Sequence, residues 1–175
     1  FAALAQLRAA GLVLAYHDRS DGGVFVTAAE MAFAGHAGVA LDADALDARP
    51  AAGDTDLLAA LFAEELGAVI QVCDADLEHA LALLGTHGVD GRVVGRVTDD
   101  DVVRVARGGQ DLFSESRVAL QRVWSETTWL MQSLRDNPAS ARQEYDRILD
   151  GSEPGITPVV RFGPTDDIAA PFIAK

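Results

Sequence analysis

The stretch GLVLAYHDRSDGG, from Gly11 to Gly23, decides the fold prediction for this chain. Its first half, Gly11 to Tyr16, is a run of apolar residues with the length of a strand buried in a sheet. The run ends at His17 and Asp18, where polar side chains replace the apolar ones. We therefore predict a buried strand that is followed directly by this polar pair.

The second half of the stretch predicts a helix that opens on glycine. Ser20 or Asp21 is placed to cap this helix, and Gly22 and Gly23 would form its first turn. A strand, a short polar turn and a helix N-terminus bring free backbone N–H groups to one point, which suits a phosphate group. The same pattern also fits a capped helix with a glycine-rich turn that holds no ligand, because Ser and Asp are common N-caps.

Two carboxylates in this turn bear on the ligand that it would hold. Asp18 and Asp21 would repel a bare phosphate, so a phosphate here would need Mg²⁺ between it and the carboxylates. We therefore interpret the turn as a candidate metal–nucleotide site. In this hypothesis Asp18 supplies an oxygen ligand to Mg²⁺, and Gly22 and Gly23 let the phosphate approach the backbone.

The charge balance of the chain argues against two classes of partner. There are 27 acidic and 14 basic residues, which gives a formal net charge of −13. Non-specific nucleic-acid binding and attachment to anionic membranes both rely on Lys and Arg, so we predict neither. No stretch resembles a membrane span or a signal peptide, and we expect a cytoplasmic protein.

The order of the predicted elements indicates an α+β fold, with a mixed β-sheet and helices packed against it. A short strand is predicted at 39–42, and a second buried strand is predicted at 67–72. Two further strands, at 92–97 and 102–107, would form a hairpin through an acidic turn. The acidic segment 42–56 is predicted to be a surface loop.

The longest predicted helix begins at Ser114 and Glu115. Its apolar side chains recur at helical spacing and need a partner surface; they are Leu120, Val123, Trp124, Thr127, Leu130, Met131 and Leu134. A polar helix and a proline-rich segment follow. We accordingly divide the chain into an α/β subdomain at 1–112, a helical extension that packs on it at 113–150, and a linker at 151–175.

Other polar side chains give weaker signals, and each has a structural alternative. His17 is placed to orient a carboxylate or contact a phosphate, or to serve as a hydrogen-bonded structural residue. Glu64 and Glu65 stand between a helix and a strand, where one could face the polar end of the first strand or both could form a solvated helix end. The hydroxyls of the motif Ser114-Glu115-Ser116 could bind an anion or cap a helix. Cys73 ends an apolar run and is predicted to be a buried, inert thiol.

Several motifs along nearly the whole chain resemble the large formylglycinamide ribonucleotide amidotransferase family, also called phosphoribosylformylglycinamidine synthase. They are HDRSDGG at 17–23, AEMAFAGHAGV at 29–39, LFAEELGAVIQV at 61–72, FSESR at 113–117, WSETTW at 124–129, LRDNP at 134–138 and DDIAAPFIA at 166–174. Their shared order makes the resemblance specific. It implies the C-terminal half of an aminoimidazole-ribonucleotide-synthetase-like unit, a helical extension, and a linker toward a glutaminase domain that this chain does not contain.

The resemblance also implies the activity of the complete enzyme. Such enzymes convert formylglycinamide ribonucleotide, ATP and glutamine to formylglycinamidine ribonucleotide, ADP, phosphate and glutamate. One half of their duplicated synthetase region holds the catalytic ATP, and the other holds an auxiliary nucleotide with Mg²⁺. By motif match, Asp18 would be a Mg²⁺ ligand of the auxiliary site and Ser20 a nucleotide contact. No catalytic residue is assigned to this chain, so we expect the chain alone to be inactive.

Two other interpretations stay open. The chain could be a purely structural subdomain that binds nothing itself. It could also belong to another ATP-dependent enzyme of the superfamily, such as aminoimidazole ribonucleotide synthetase, selenophosphate synthetase or thiamine-monophosphate kinase. The tail from Trp124 to Lys175 argues against those enzymes, since they have no following glutaminase.

Overall fold

The computed structural model describes residues 1–46 and 54–152, and the single positions 159, 161, 163 and 172. The helices in this part of the chain are α1 (Ala2–Ala9), α2 (Gly23–Gly35), α3 (Ala43–Leu46), α4 (Asp54–Phe62), α5 (Leu77–Thr86), α6 (Arg117–Arg135) and α7 (Pro138–Arg147). The strands are β1 (Ala15–Asp18), β2 (Gly38–Asp42), β3 (Ala68–Gln71), β4 (Gly95–Thr98), β5 (Val102–Arg107) and β6 (Gln110–Ser116). A 3-10 turn at Asp74–Asp76 precedes α5.

The strands of the described residues form two sheets. The larger sheet has the order β4-β2-β5-β6, with β2 parallel to β5 and the other pairs antiparallel. The smaller sheet pairs β1 with β3 in antiparallel register, so that Tyr16 lies opposite Ile70 and Asp18 opposite Ala68. Because helices pack against both sheets, the predicted mixed fold of strands and helices is confirmed.

Two apolar clusters hold the helices on the sheets. The first joins α2 and α4 to the covered face of β2 and β5, through Val24, Ala28, Leu41, Ala43, Leu57, Leu61 and Val105. The second packs α1 against α5, with Leu7 and Leu84 among its members. The helix α2 is buried on most sides, as its apolar composition predicts. Its N-terminus, at the end of β1, is thereby fixed relative to both sheets.

The predicted hairpin between the strands at 92–97 and 102–107 is wrong. β4 and β5 are not neighbours, because β2 lies between them. The segment that leaves β4 passes close to the start of β2. A Cβ added to Gly38 of β2 would lie 2.3 Å from Oγ1 of Thr98, the last residue of β4. The actual hairpin joins β5 to β6 through Gly108 and Gly109, whose φ angles of 55° and 79° suit a tight turn between antiparallel strands.

The start of the long helix differs from its predicted position. Ser114 and Glu115 lie in β6, and α6 begins at Arg117. Ser116 is the N-cap, and its side chain accepts a hydrogen bond from the N–H of Ala119 at 3.1 Å. The predicted boundary between 112 and 113 therefore falls inside a strand, although the division into subdomains stays a prediction.

The apolar stripe of α6 forms no core within the described part of the chain. Val123 is 73% exposed, Trp124 is 56% exposed and Leu134 is 90% exposed. The neighbouring helix α7 packs on another side of α6, where the rings of Trp129 and Tyr145 stack with centroids 4.6 Å apart. The stripe is therefore an apolar surface of this chain.

The two strands predicted to be buried are only partly buried. β1 begins at Ala15, later than predicted, and its residues alternate between half-buried and exposed. β3 has one exposed and three half-buried residues. Cys73, which follows β3, is exposed rather than buried. In the described residues this small sheet consists of β1 and β3.

The predicted loop at 42–56 is wrong in part, and most of the predicted linker cannot be compared with the structure. The loop segment contains α3 and the start of α4, and Ala43 is fully buried in the first cluster. An acidic composition therefore concealed a short helix that packs on the sheet. Residues 47–53, and nearly all of the linker at 151–175, lie outside the described residues.

Candidate functional site

The turn between β1 and α2 carries the predicted site residues. Asp18 is the last residue of β1, Gly22 is the N-cap of α2, and Gly23 is its first residue. The side chains of Ser20 and Asp21 do not cap the helix, so that prediction is wrong. Two glycines at positive φ, 79° and 67°, allow the chain to enter the helix directly from the turn.

The first N–H groups of this helix have partners within the chain. The Gly22 N–H donates to Oε1 of Glu64 at 3.1 Å, and the Gly23 N–H donates to the Ser20 carbonyl oxygen at 2.9 Å. A carboxylate therefore stands where the positive end of the helix dipole favours an anion. A phosphate at this helix start would replace Glu64 on the Gly22 N–H.

Both glycines are also required by close packing. A Cβ at Gly22 would lie 2.4 Å from Cγ2 of Val26, and one at Gly23 would lie 2.6 Å from the carbonyl oxygen of Leu61. The C-terminal end of α4 thus presses directly on the start of α2. The sequence suggested that glycine leaves room for a phosphate, but in the structure Val26 of α2 occupies the space beside Gly22, and the end of α4 occupies the space beside Gly23.

Asp18 presents an exposed carboxylate at the end of β1. The Tyr16 hydroxyl, two residues earlier on the same strand, donates a hydrogen bond to Oδ1 of Asp18. This hydrogen bond, with smaller contributions from burial and from the carboxylate charge, raises the pKa of Tyr16 above its usual value of 10.0. Asp18 therefore presents an accessible carboxylate whose orientation is held by Tyr16.

The donor chemistry of this edge suits Mg²⁺ as part of a larger ligand set. Mg²⁺ prefers oxygen ligands, and in nucleotide sites one or two carboxylates, phosphate oxygens and waters often complete its shell. Asp18 meets the requirement for one such carboxylate. Among the described residues, no three His, Cys, Asp or Glu side chains are grouped so that they could hold a metal ion. The remaining ligands would come from the phosphates, water or another part of the protein.

His17 points to the other side of β1, toward α2. Its Nε2 lies 2.9 Å from Oε2 of Glu30, and its Nδ1 lies 2.7 Å from the Asp18 carbonyl oxygen. Glu30 also accepts a hydrogen bond from Nε1 of Trp124 at 2.9 Å. His17 therefore contacts a carboxylate, as one interpretation of the sequence proposed, and that carboxylate is the side chain of Glu30.

Arg19 is a residue of the site that the sequence analysis missed. Its guanidinium donates to the carbonyl oxygens of Ala63 and Ala60 at 3.0 and 3.2 Å, and it pairs with Glu65 at 3.2 Å. The side chain thus satisfies carbonyl groups at the end of α4 and holds the following segment, with Glu64, against the turn. A lone basic residue inside an acidic turn was the available signal.

Ser114 is not part of this site. It lies opposite Arg104 in the β5–β6 pair, whereas its neighbour Phe113 lies opposite Val105 on the face that the helices cover. Since successive side chains of a strand point to opposite faces, Ser114 faces away from α2. Phe113 contacts the Phe25 ring of α2 with centroids 5.4 Å apart. Ser114 is therefore not at a helix N-terminus, and the helix cap predicted for the motif Ser114-Glu115-Ser116 is supplied by Ser116.

Comparison with known families matches residues 1–107 to the model described as "AIR synthase related protein, C-terminal domain". The chain belongs to this family. The matched residues include β1, the turn and α2, so the candidate site lies within the family domain. The family domain ends at Arg107, before β6 and the two helices that follow.

Solved structures share the fold of this family domain. Thermotoga maritima PurL complexed with FGAR matches with a TM-score of 0.60 and 22% identity, over 68% of this chain and 20% of that chain. The same protein complexed with ATP matches with a TM-score of 0.58. Escherichia coli HypE, a hydrogenase maturation protein, matches with a TM-score of 0.53 and 27% identity, over 63% and 37% of the two chains. This chain thus spans about a fifth of the length of the PurL chains.

None of the helices in the described residues is both long and apolar enough to cross a bilayer.

Proposed function

We propose that this chain is part of a cytoplasmic, ATP-dependent ligase of purine biosynthesis. The complete enzyme would convert formylglycinamide ribonucleotide, ATP and glutamine to formylglycinamidine ribonucleotide. Membership of the AIR synthase related family supports this proposal, as does the similarity of the fold to a PurL that was solved with FGAR, ATP and ADP. The motifs from His17 to Asn137 support the choice of this family member.

Within that enzyme, we assign this chain an auxiliary Mg²⁺–nucleotide site. The observation that carries the assignment is the exposed carboxylate of Asp18 at the end of β1, immediately before a helix that opens on Gly22 and Gly23. Asp18 would hold the metal ion, and Ser20 would contact the nucleotide. The ion would supply positive charge that neutralises the phosphates beside the carboxylates. ATP or ADP and Mg²⁺ are thus the proposed cofactors.

The chain itself would carry out no chemical step. A single turn with Asp18 cannot complete the octahedral coordination that Mg²⁺ prefers. Phosphoryl transfer also needs cationic donors around the transferred group, and Arg19, the basic residue of this turn, is engaged by the carbonyl oxygens of Ala63 and Ala60 and by Glu65. Cys73 lies beside the small sheet and has no assigned role in glutamine hydrolysis. The rest of the same polypeptide, including a glutaminase domain, would supply these groups.

The test compares two aspartates of one turn in the full-length protein. Asp18→Asn removes the proposed ligand, and Asp21→Asn removes an equal charge from the same exposed turn. We expect the first variant to lose bound ADP and Mg²⁺ on purification and the second to keep both. Equal nucleotide content in the two variants would refute the site.

A purely structural role is the second candidate, and one observation favours it. The N–H groups of Gly22 and Gly23 already have partners in Glu64 and Ser20, so the turn is complete without a ligand. In that case Asp18 would serve only as the acceptor for Tyr16. Asp18→Asn would then change the tyrosine titration and leave nucleotide content unchanged.

A further inference from the structure

The carboxylate of Glu30 joins three elements of the fold. Its Oε1 accepts from Nε1 of Trp124 at 2.9 Å, and its Oε2 lies 2.9 Å from Nε2 of His17. Glu30 belongs to α2, His17 to β1 and Trp124 to α6. Both oxygens of one half-buried carboxylate are thus engaged by side chains from different elements, which fixes the rotamers of all three residues.

The chain of contacts continues to the candidate metal ligand. Nδ1 of His17 lies 2.7 Å from the carbonyl oxygen of Asp18. The Thr27 hydroxyl, which donates to the Gly23 carbonyl oxygen at 2.9 Å, lies 3.4 Å from the same Asp18 oxygen. The peptide group that carries Asp18 is therefore held from the α2 side, while its carboxylate extends to the exposed side of the strand.

Trp124 is anchored independently of its hydrogen bond. Its indole ring packs against the ring of Phe33 with centroids 5.8 Å apart. The residue lies outside the family domain, which ends at Arg107. A helix beyond the family domain thus reaches back over α2 to the residues beside the candidate site.

We propose that Trp124 and Glu30 are positioning residues for the Asp18 site. They hold His17, and through it the backbone of Asp18, so that the carboxylate is presented in one direction to Mg²⁺ and nucleotide. The inference rests on the proposed function and deepens it, since it makes retention of the metal–nucleotide pair depend on α6. Residues that orient the ligands of a metal typically change its affinity about 10- to 100-fold when they are mutated.

The two tryptophans of α6 provide a matched pair of variants. Trp124→Phe removes the N–H that binds Glu30 and keeps an aromatic ring against Phe33. Trp129→Phe removes the other indole N–H of the helix, which is buried and has no hydrogen-bond partner among the described residues. Glu30→Gln is the second test variant, because an amide cannot accept on both sides at once. If Trp124→Phe fails to fold, Glu30→Gln still tests the positioning role.

The measurement is ADP binding to the full-length protein, titrated with Mg²⁺, beside a thermal melt of each variant. We expect Trp124→Phe and Glu30→Gln to raise the Mg²⁺ concentration for half-saturation about 10-fold, and Trp129→Phe to leave it unchanged. The double variant of Trp124 and Glu30 should be no worse than Glu30→Gln alone, since both changes break one network. A purely structural role would lower the melting temperature and leave the Mg²⁺ dependence as it is.

Asp18→Asn separates failure of this inference from failure of the proposed function. If Asp18→Asn abolishes the Mg²⁺ dependence while Trp124→Phe and Glu30→Gln bind as the wild type does, the positioning role is refuted and the site stands. Equal losses in Trp124→Phe and Trp129→Phe would also refute it, because the effect would then be general to the helix. If Asp18→Asn itself has no effect, the proposed site is refuted.

Discussion

Arg117 and Asp101 are joined by both their side chains and their backbones. The guanidinium of Arg117 pairs with the Asp101 carboxylate, and the Arg117 N–H donates to the Asp101 carbonyl oxygen at 2.9 Å. Arg117 is only 2% exposed and also donates to Oε1 of Gln121 at 2.7 Å. This pair connects the start of α6 to the turn before β5, and so determines where the helical extension leaves the sheet.

The two halves of this ion pair should contribute unequally to stability. Asp101→Asn leaves a buried guanidinium without its counter-charge, and we expect a loss of about 3 kcal/mol in the free energy of unfolding. Asparagine tolerates the positive φ of 56° at this position, so the change isolates the lost charge. Arg117→Met should cost less, because the Asp101 side chain is 42% exposed and water can solvate it. A denaturant titration in which Arg117→Met is the more damaging change would contradict this account.

The elements that the sequence predicted correctly depend on local pattern. α2 follows from the glycine turn and the apolar residues after it, and the position of Asp18 at a strand end follows from the change to polar residues at His17. The failures are of longer range. No local pattern shows that β2 separates β4 from β5. The acidic turn between β4 and β5 would be equally typical of a hairpin in which the two strands are neighbours.

The site was predictable to the same degree. The turn from Asp18 to Gly23 was visible as a strand, a polar turn and glycines. The contact of Glu30 with Trp124 spans 94 positions, and hydrophobic spacing assigned Trp124 to an apolar stripe. One interpretation of Glu64 and Glu65 placed a carboxylate at the polar end of the first strand, and Glu64 does reach the Gly22 N–H there. Which of the two glutamates does so depends on how α4 packs, and no local pattern shows that.

Close packing at Gly23 should be measurable against a glycine with the same backbone conformation. Gly23→Ala would place a Cβ 2.6 Å from the Leu61 carbonyl oxygen, whereas at Gly11 a Cβ would meet nothing within 4 Å. Both glycines have positive φ, 67° and 71°, so each substitution carries the backbone cost of about 1–2 kcal/mol. We expect Gly23→Ala to lower the free energy of unfolding by more than Gly11→Ala does. Equal losses would show that α4 does not press on this turn.

The titration of Tyr16 should report its hydrogen bond to Asp18. Because the folded pKa is raised above 10.0, the stability that this bond provides is fully present below pH 10.0 and is lost as the pH rises through the folded pKa. The titration is followed by tyrosinate absorbance, and the curve of the Tyr16→Phe variant is subtracted to isolate Tyr16. The midpoint of the difference curve should lie above pH 10.0. Asp18→Asn should move it back toward 10.0. An unshifted midpoint in the unsubstituted protein would mean that the bond is absent.

The apolar stripe of α6 should be covered in the complete protein. Leu134 is 90% exposed here, so its side chain stabilises none of the described residues directly. If another domain of the polypeptide packs on the stripe, Leu134→Ser should cost about 1.5–3 kcal/mol in the full-length protein. Glu126→Ser, at an exposed position of the same helix, is the control and should have little effect. Unchanged stability in both variants would place the stripe in water.

The most direct test of the central claim is the position of a metal ion in the full-length protein crystallised with ADP. Mn²⁺ can replace Mg²⁺ because it also takes octahedral oxygen ligands, and its anomalous signal identifies the ion. We predict an ion about 2.0–2.2 Å from a carboxylate oxygen of Asp18, with phosphate oxygens of ADP completing part of its shell. Nucleotide and metal bound elsewhere, with Asp18 contacting only Tyr16, would contradict the assignment of this turn as a metal–nucleotide site.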